Sequence, residues 1–328
     1  MNRKHTLTIL LTLLALTLAL GACTPAAPAA EAPAGAVEEP AAEEAFQVTV
    51  VDGLGIEVTL DARPQRIASM TLGTDELLLD LVGPERLAAV TYLASDATTS
   101  NIADRPELAQ IEAVIQPNPS PEQIIELEPD LVFVASFTDA TVIEQLRGAG
   151  LNVFATSFFS SIDAMQQNIL DIGELVGETA RAEEIVAQMD AQLDAVAAAL
   201  QGAEETPSVV YLSTGGWVAG SATTVDDIIQ RAGGTNAAAD LVDWNQVSEE
   251  ALIELNPDVV VLSPYVTDEE FLANPAYSGM AAIENGRVFS ISDAYMSATS
   301  QYLVRGVEVL AHRLHPDLVP APEYLPEG

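Results

Sequence analysis

One stretch of this chain occurs twice. Residues 120–134 read SPEQIIELEPDLVFV, and residues 248–262 read SEEALIELNPDVVVL. The copies align without a gap, and Ser120/Ser248, Glu122/Glu250, Glu126/Glu254, Pro129/Pro257 and Asp130/Asp258 coincide. The physics of the unit is simple. A serine caps a helix start, acids follow in the first turn, and a proline ends the helix. A short apolar run then makes a buried strand. Between the copies lies Glu178 to Gln201, which has no Pro or Gly and is rich in Ala, Glu, Gln and Leu. Ile185, Met189, Leu193, Val196 and Leu200 recur at three- and four-residue steps, so it predicts a long helix with one buried stripe. Its length would be roughly 36 Å at 1.5 Å per residue. Two kindred units around one long helix predict an α/β fold of two similar lobes with mostly parallel sheets, joined by a rigid strut.

The chain has 328 residues, enough for two domains, and 49% of them are hydrophobic, so the core can be sizeable. Aromatics are only 5%, so a site for a large flat ligand would use most of them. The single cysteine, Cys23, excludes a disulfide framework and a cysteine-based zinc cluster. Beyond the leader the only histidines are His312 and His315, so a three-histidine metal site is excluded. The net charge of −37 opposes nucleic acid and anionic lipid as partners. It suits a protein that stays soluble outside the cell; a compositional bias of the source genome explains it equally well. There is no P-loop, GxSxG or GxGxxG.

Residues 1–22 read as an export signal: Arg3, Lys4 and His5 precede an apolar run, Thr6 to Leu20, too short for a membrane span. It ends in Leu20-Gly21-Ala22-Cys23, similar to a bacterial lipobox, with Cys23 as the lipidated residue. Residues 23–45 are Ala-, Pro- and Glu-rich and read as a disordered tether. Residues 46–160 are then expected to form an N-terminal lobe, 161–203 a helical connector, 204–318 a C-terminal lobe and 319–328 a loose Pro-rich tail. Phe46 to Leu60 predicts a hairpin around Asp52-Gly53-Leu54-Gly55. A helix capped by Thr74, a polar loop from Ala94 to Pro119, a Gly-rich loop from Thr214 to Gly220, a loop holding Trp244 and a closing helix from Thr299 to Leu314 are also expected.

The leader, the hairpin signature of Asp52, Gly55 and Val58-Thr59-Leu60, SPEQIIELEPDLV, AGGTNAAAD and WNQVSEEALIELNPDVVVL together resemble one family. It is the substrate-binding lipoproteins of ABC importers for iron–siderophores, haem and vitamin B12, whose two lobes are joined by a single long helix. The likeness runs from Phe46 to Asp317. It implies a ligand cleft between the lobes, no enzyme activity, no cofactor of its own, and capture of a metal chelate for a permease dimer. It implies a monomer held by its N-terminal lipid on the outer face of the cytoplasmic membrane or in the periplasm. An enzyme on the same architecture, such as a chelatase, would need cleft histidines or cysteines, which the chain lacks. A tethered sensor or adhesin without a permease is the third reading.

The resemblance also implies roles for residues. Glu122 and Glu250 would each project from a lobe tip toward permease arginines; otherwise they merely favour their helix N-termini, and Glu249 stands ready to share the role. Trp217 and Trp244 either pack on their own lobe or face the cleft. Trp244-Asn245-Gln246-Val247-Ser248 matches a cleft-facing Trp segment of the vitamin B12-binding members, apart from Asn245. Tyr92 and Tyr295 match cleft-side aromatics. Met70 packs in the core or faces the ligand. Arg305 meets an anionic ligand or pairs with Glu308 one helical turn away. His312 and His315 read as surface residues. Sparse cations favour a ferric hydroxamate or a corrinoid, with haem as the alternative.

Overall fold

The computed structural model describes residues 46–157 and 160–325; the leader, Cys23 and the tether lie outside the described residues. A hairpin comes first, β1 (Val48–Val51) against β2 (Glu57–Leu60). The Asp52 carboxylate closes its turn by accepting from the Leu54 and Ile56 amides at 2.9 Å, and Arg147 meets its other oxygen at 2.7 Å. Then follow β3 (Ile67–Ser69), α1 (Leu72–Val82), β4 (Leu87–Thr91), β5 (Ala113–Ile115) and α2 (Pro121–Ile125). β6 (Leu131–Ala135), α3 (Ala140–Gly148) and β7 (Asn152–Thr156) complete the first sheet, a parallel array in the order β5-β4-β3-β6-β7.

Two long helices come next, α4 (Ile162–Val176), capped by Ser161, and α5 (Thr179–Ala199). Gly177 separates them in the left-handed region (φ 76°), where glycine carries no Cβ penalty. The helices cross closely: a Cβ on Gly173 would lie 2.3 Å from that of Ala182. The second sheet contains β8 (Ser208–Ser213), β9 (Trp217–Ala219), β10 (Thr235–Asn236) and β11 (Trp244–Gln246), with α6 (Thr224–Arg231) between β9 and β10. After α7 (Glu249–Leu255) come β12 (Val259–Leu262), α8 (Asp268–Ala273), α9 (Ala281–Glu284) and β13 (Val288–Ser290). The order is β11-β9-β8-β12-β13, with β10 also beside β8. β12, β13 and β10 run parallel to their partners, whereas β9 and β11 are antiparallel additions. The chain closes with α10 (Asp293–Met296) and α11 (Val304–Leu314).

The repeated sequence makes equivalent units. β6 pairs with β3 in one sheet and β12 with β8 in the other, both parallel. The residue before each unit's proline, Glu128 or Asn256, has positive φ. Asp130 accepts from the Gln65 and Arg66 amides, and Asp258 from the Ser208 amide and hydroxyl, so each aspartate pins the start of its central strand. Ser120 and Ser248 cap their helices.

Strand alternation sorts the core. Leu131 and Phe133 face a central cluster, while Val132 and Val134 face an outer one. In the second sheet Val259 and Val261 face the same central cluster, and Val260 and Leu262 face a separate outer one. The long-helix stripe, Ile185, Met189 and Val196, lies in the central cluster with residues of α4 and α11. The strut is therefore part of a core common to both lobes. Burying each such side chain contributes about 1.5–3 kcal/mol.

Several expectations are corrected. Thr71, not Thr74, caps α1, because its hydroxyl accepts from the Thr74 amide at 3.1 Å. Trp217 and Trp244 lie on short strands rather than loops, since β9 and β11 pair with each other. The last helix begins at Val304, after a 3₁₀ turn over Gln301–Leu303. The described part of the tail is anchored rather than loose throughout: Val319 is buried and accepts from His312 Nδ1 at 2.8 Å, and Tyr324 and Leu325 pack against the central cluster, while Pro320, Ala321 and Glu323 are exposed. His315 is also buried, with its Nε2 3.2 Å from the Gly233 carbonyl oxygen.

Candidate functional site

A cavity of roughly 260 Å³ opens between the two sheets. The first lobe supplies segments at the carboxyl ends of its strands: Thr71 to Thr74 after β3, Ala135-Ser136-Phe137 at the end of β6, and Thr156-Ser157 at the end of β7. Such strand ends are where parallel sheets place ligands, because the chain leaves the sheet there toward its helices. The second lobe supplies Thr223 to Val225 at the start of α6, Trp244 on β11, and Ser297 and Thr299. Asn168 and Ile172 of α4 also line it. The two lobes touch here. A Cβ on Gly73 would lie 2.2 Å from the Thr299 carbonyl oxygen, so only glycine permits this approach.

Among the described residues, the lining holds no charged side chain. It combines threonine and serine hydroxyls with Leu77, Val225, Ile172 and two aromatic rings, Trp244 and Phe137. Phe137 is 85% exposed at the mouth. Trp244 is held by a chain of contacts: its ring meets that of Tyr211 edge-on at 5.9 Å, and the Tyr211 hydroxyl donates to Asp293 at 2.5 Å. Burial and the Asp293 carboxylate both push the Tyr211 phenol up, so it stays a neutral donor. In the β9–β11 ladder Trp244 pairs with Ala219 and Gln246 with Trp217, which puts both tryptophans on one face.

The other sequence candidates are dispersed. Tyr92 is exposed just after β4 and is not in the lining. Met70 packs against the outer core of the first sheet, and its amide donates to the Phe133 carbonyl at 3.0 Å. Tyr295 stacks on Tyr324, with centroids 5.6 Å apart. Arg305 also stands outside the cavity, because its guanidinium lies between the Tyr302 and Tyr324 rings and donates to Asn101 at 2.9 Å. Glu308 accepts from the Tyr324 hydroxyl instead of pairing with Arg305. Phe137 and Asn168, which line the cavity, and Tyr211, which packs against Trp244, escape sequence reasoning, since no local pattern marks residues of these types for such places.

Glu122 and Glu250 are both exposed. Each carboxyl is held below the usual range by its own backbone amide first and by the preceding serine hydroxyl second. Both therefore remain anionic into acid.

Behind the cavity the lobes share a buried polar seam. Glu76 of α1 accepts from the Asn101 amide at 2.6 Å and from the Ser300 hydroxyl. Gln301 and Tyr302 donate to Asp80 at 2.7 and 2.9 Å, and Arg105 pairs with Asp80 at 3.0 Å. Burial pushes Glu76 up. Its neighbour Asp75, whose carboxylate accepts from Thr91, is pushed by burial from 3.8 to about 7. The folded state then binds more protons than the unfolded state between those two values. Stability contributed by Asp75 is full below the lower value and declines as pH rises, by at most about 1.4 kcal/mol per pH unit. Asp75→Asn is expected to flatten the fall in urea midpoint between about pH 4 and pH 7; an unchanged slope would show that Asp75 does not titrate there.

Comparison with known proteins decides the family. A family profile described as periplasmic binding protein matches residues 67–295. The chain belongs to this family. It is a binding protein, not an enzyme. An uncharacterised ABC transporter substrate-binding lipoprotein, YvrC of Bacillus subtilis, is 27% identical over 84% of this chain and 87% of its own length. A cobalamin-binding protein of Halobacterium salinarum is 27% identical over 87% of this chain and 80% of its own. Among solved structures, the apo form of the periplasmic haem-binding protein RhuT of Roseiflexus has a TM-score of 0.67 and 25% identity, over 77% of this chain and 98% of that one.

Proposed function

We propose that this periplasmic binding protein captures a metal chelate, a ferric hydroxamate or a corrinoid, and delivers it to the permease dimer of an ABC importer. The uncharged lining of the cleft, flanked by Trp244 and Phe137, carries the reading. Rings from both lobes offer flat apolar faces to a bulky ligand and exclude water. The cavity is too small to enclose a chelate whole, so most of the ligand rests on the rim, where Trp217 shares the Trp244 face. Haem suits this lining less well, because no cation stands ready for its carboxylates. The named partners of the Bacillus and Halobacterium relatives support both the importer and the chelate. Glu122 and Glu250 dock the permease, and Cys23 carries the lipid that keeps the monomer at the membrane.

Tryptophan emission tests the reading. Titration with cyanocobalamin, ferrichrome, another ferric hydroxamate and haemin is expected to show one corrinoid or hydroxamate that quenches at least half the signal. Trp244→Phe should retain binding while losing most of that quench. Silence across all four ligands ends the chelate reading.

A further inference from the structure

The floor of the cleft holds a polar group that the fold does not use. Asn168, in the middle of α4, is only 6% exposed and lines the cavity. Its side-chain amide has no hydrogen-bond partner among the described residues, yet it is absent from the fully sealed unpaired atoms, which are Thr99 Oγ1 and Gln301 Oε1. What little surface it keeps therefore meets the cavity. Leaving a buried amide without a partner is unfavourable, and asparagine is a poor residue for a helix interior. A bound group that pairs with the amide would recover that cost.

The surroundings define the group. Thr71, Thr74, Thr223 and Thr224 line the same cavity, and the hydroxyls of Thr71, Thr74 and Thr223 already have partners within the fold. α1 and α6 both begin there, yet neither start favours an anion. Thr71 and Thr223 already cap the Thr74 and Asp226 amides. Asp226 and Asp227 in the first turn of α6 offset its positive end, and the first turn of α1 carries a carboxyl of its own, Asp75. Among the described residues, no lysine, arginine or histidine lines the cavity. The polar side chains of the lining are neutral, and its serine, threonine and asparagine groups can both donate and accept.

We propose that Asn168 anchors a subsite for a neutral carboxamide group of the ligand, on its periphery and away from the metal. The ligand carbonyl accepts from Asn168 Nδ2, and its N–H donates to Asn168 Oδ1. This pairing matches both halves of the amide at once, which a carboxylate cannot do. The subsite deepens the metal-chelate reading by naming the part of the ligand that enters first, but its chemistry is testable without any chelate.

The test is an NMR titration of the ¹⁵N-labelled protein with two small probes, acetamide and acetate. Acetamide is expected to shift the Asn168 side-chain amide and the Gly73 and Val225 backbone amides in a saturable way, and acetate is not. Asn168→Leu, and the isosteric Asn168→Asp in case the leucine variant misfolds, should abolish the shifts at Gly73 and Val225. The proposal is overturned by no shift with acetamide, by stronger binding of acetate, or by shifts that persist in both variants. For whichever chelate quenches tryptophan emission, Asn168→Asp should weaken affinity about tenfold, through loss of the Nδ2 donor. Unchanged affinity overturns the subsite and leaves the chelate reading standing. A wild-type protein that answers acetamide but no chelate removes the chelate reading and leaves the subsite standing.

Discussion

Reversing the charge at Glu122 and Glu250 together is expected to abolish transport without changing ligand affinity. Both carboxylates are exposed, sit one residue past N1 in equivalent capped helices, and are held ionised by the same contacts. Neither lines the cavity. Two like charges carried on one common core form a fixed pattern, and a fixed pattern can set the register of a charged partner and speed its encounter. Glu249 is differently placed: its carboxylate accepts from Asn274 at 2.9 Å, which ties it to its own lobe. Glu122→Lys and Glu250→Lys should each reduce uptake, and the double variant should stop it, as measured with radiolabelled ligand in cells lacking the native copy. Normal uptake by the double variant ends the docking claim; parallel loss of ligand affinity in solution would mean the cleft had been disturbed instead.

Replacing Glu76 by alanine is expected to lower stability by about 3 kcal/mol or more, because buried donors lose a shared acceptor. Those donors are the Asn101 backbone and side-chain amides and the Ser300 hydroxyl. Ser300 follows Thr299, which lines the cavity and abuts Gly73, so the loss should also loosen the cleft and weaken the ligand. Glu76→Gln keeps an acceptor oxygen and should cost much less. Urea unfolding reads the difference; an alanine variant within about 0.5 kcal/mol of wild type would show that the seam is replaceable by water.

Much of the architecture was legible in the chain. The repeated unit carried its own capping serine, first-turn acid, terminating proline and apolar strand, and each is a local signal. The long helix was equally plain, because its stripe spans many turns. The cleft residues were harder. Trp244 was singled out from its neighbours and does line the cavity, but Arg305 drew attention as a lone cation and is instead enclosed by tyrosines, one of them, Tyr324, from the closing tail. Nothing near Tyr324 in sequence announces that contact.

The sequence by itself determined the repeated helix–strand unit and the long helix between its copies, since caps, periodicity and apolar runs act over a few residues. Only the tertiary structure decided which side chains face the cleft, that Asn168 stands there without a partner, and that Glu76 joins segments more than two hundred residues apart. Those outcomes depend on how two sheets and the helices around them settle on one core, and the free energy of that packing is shared among contacts that no short window of sequence contains.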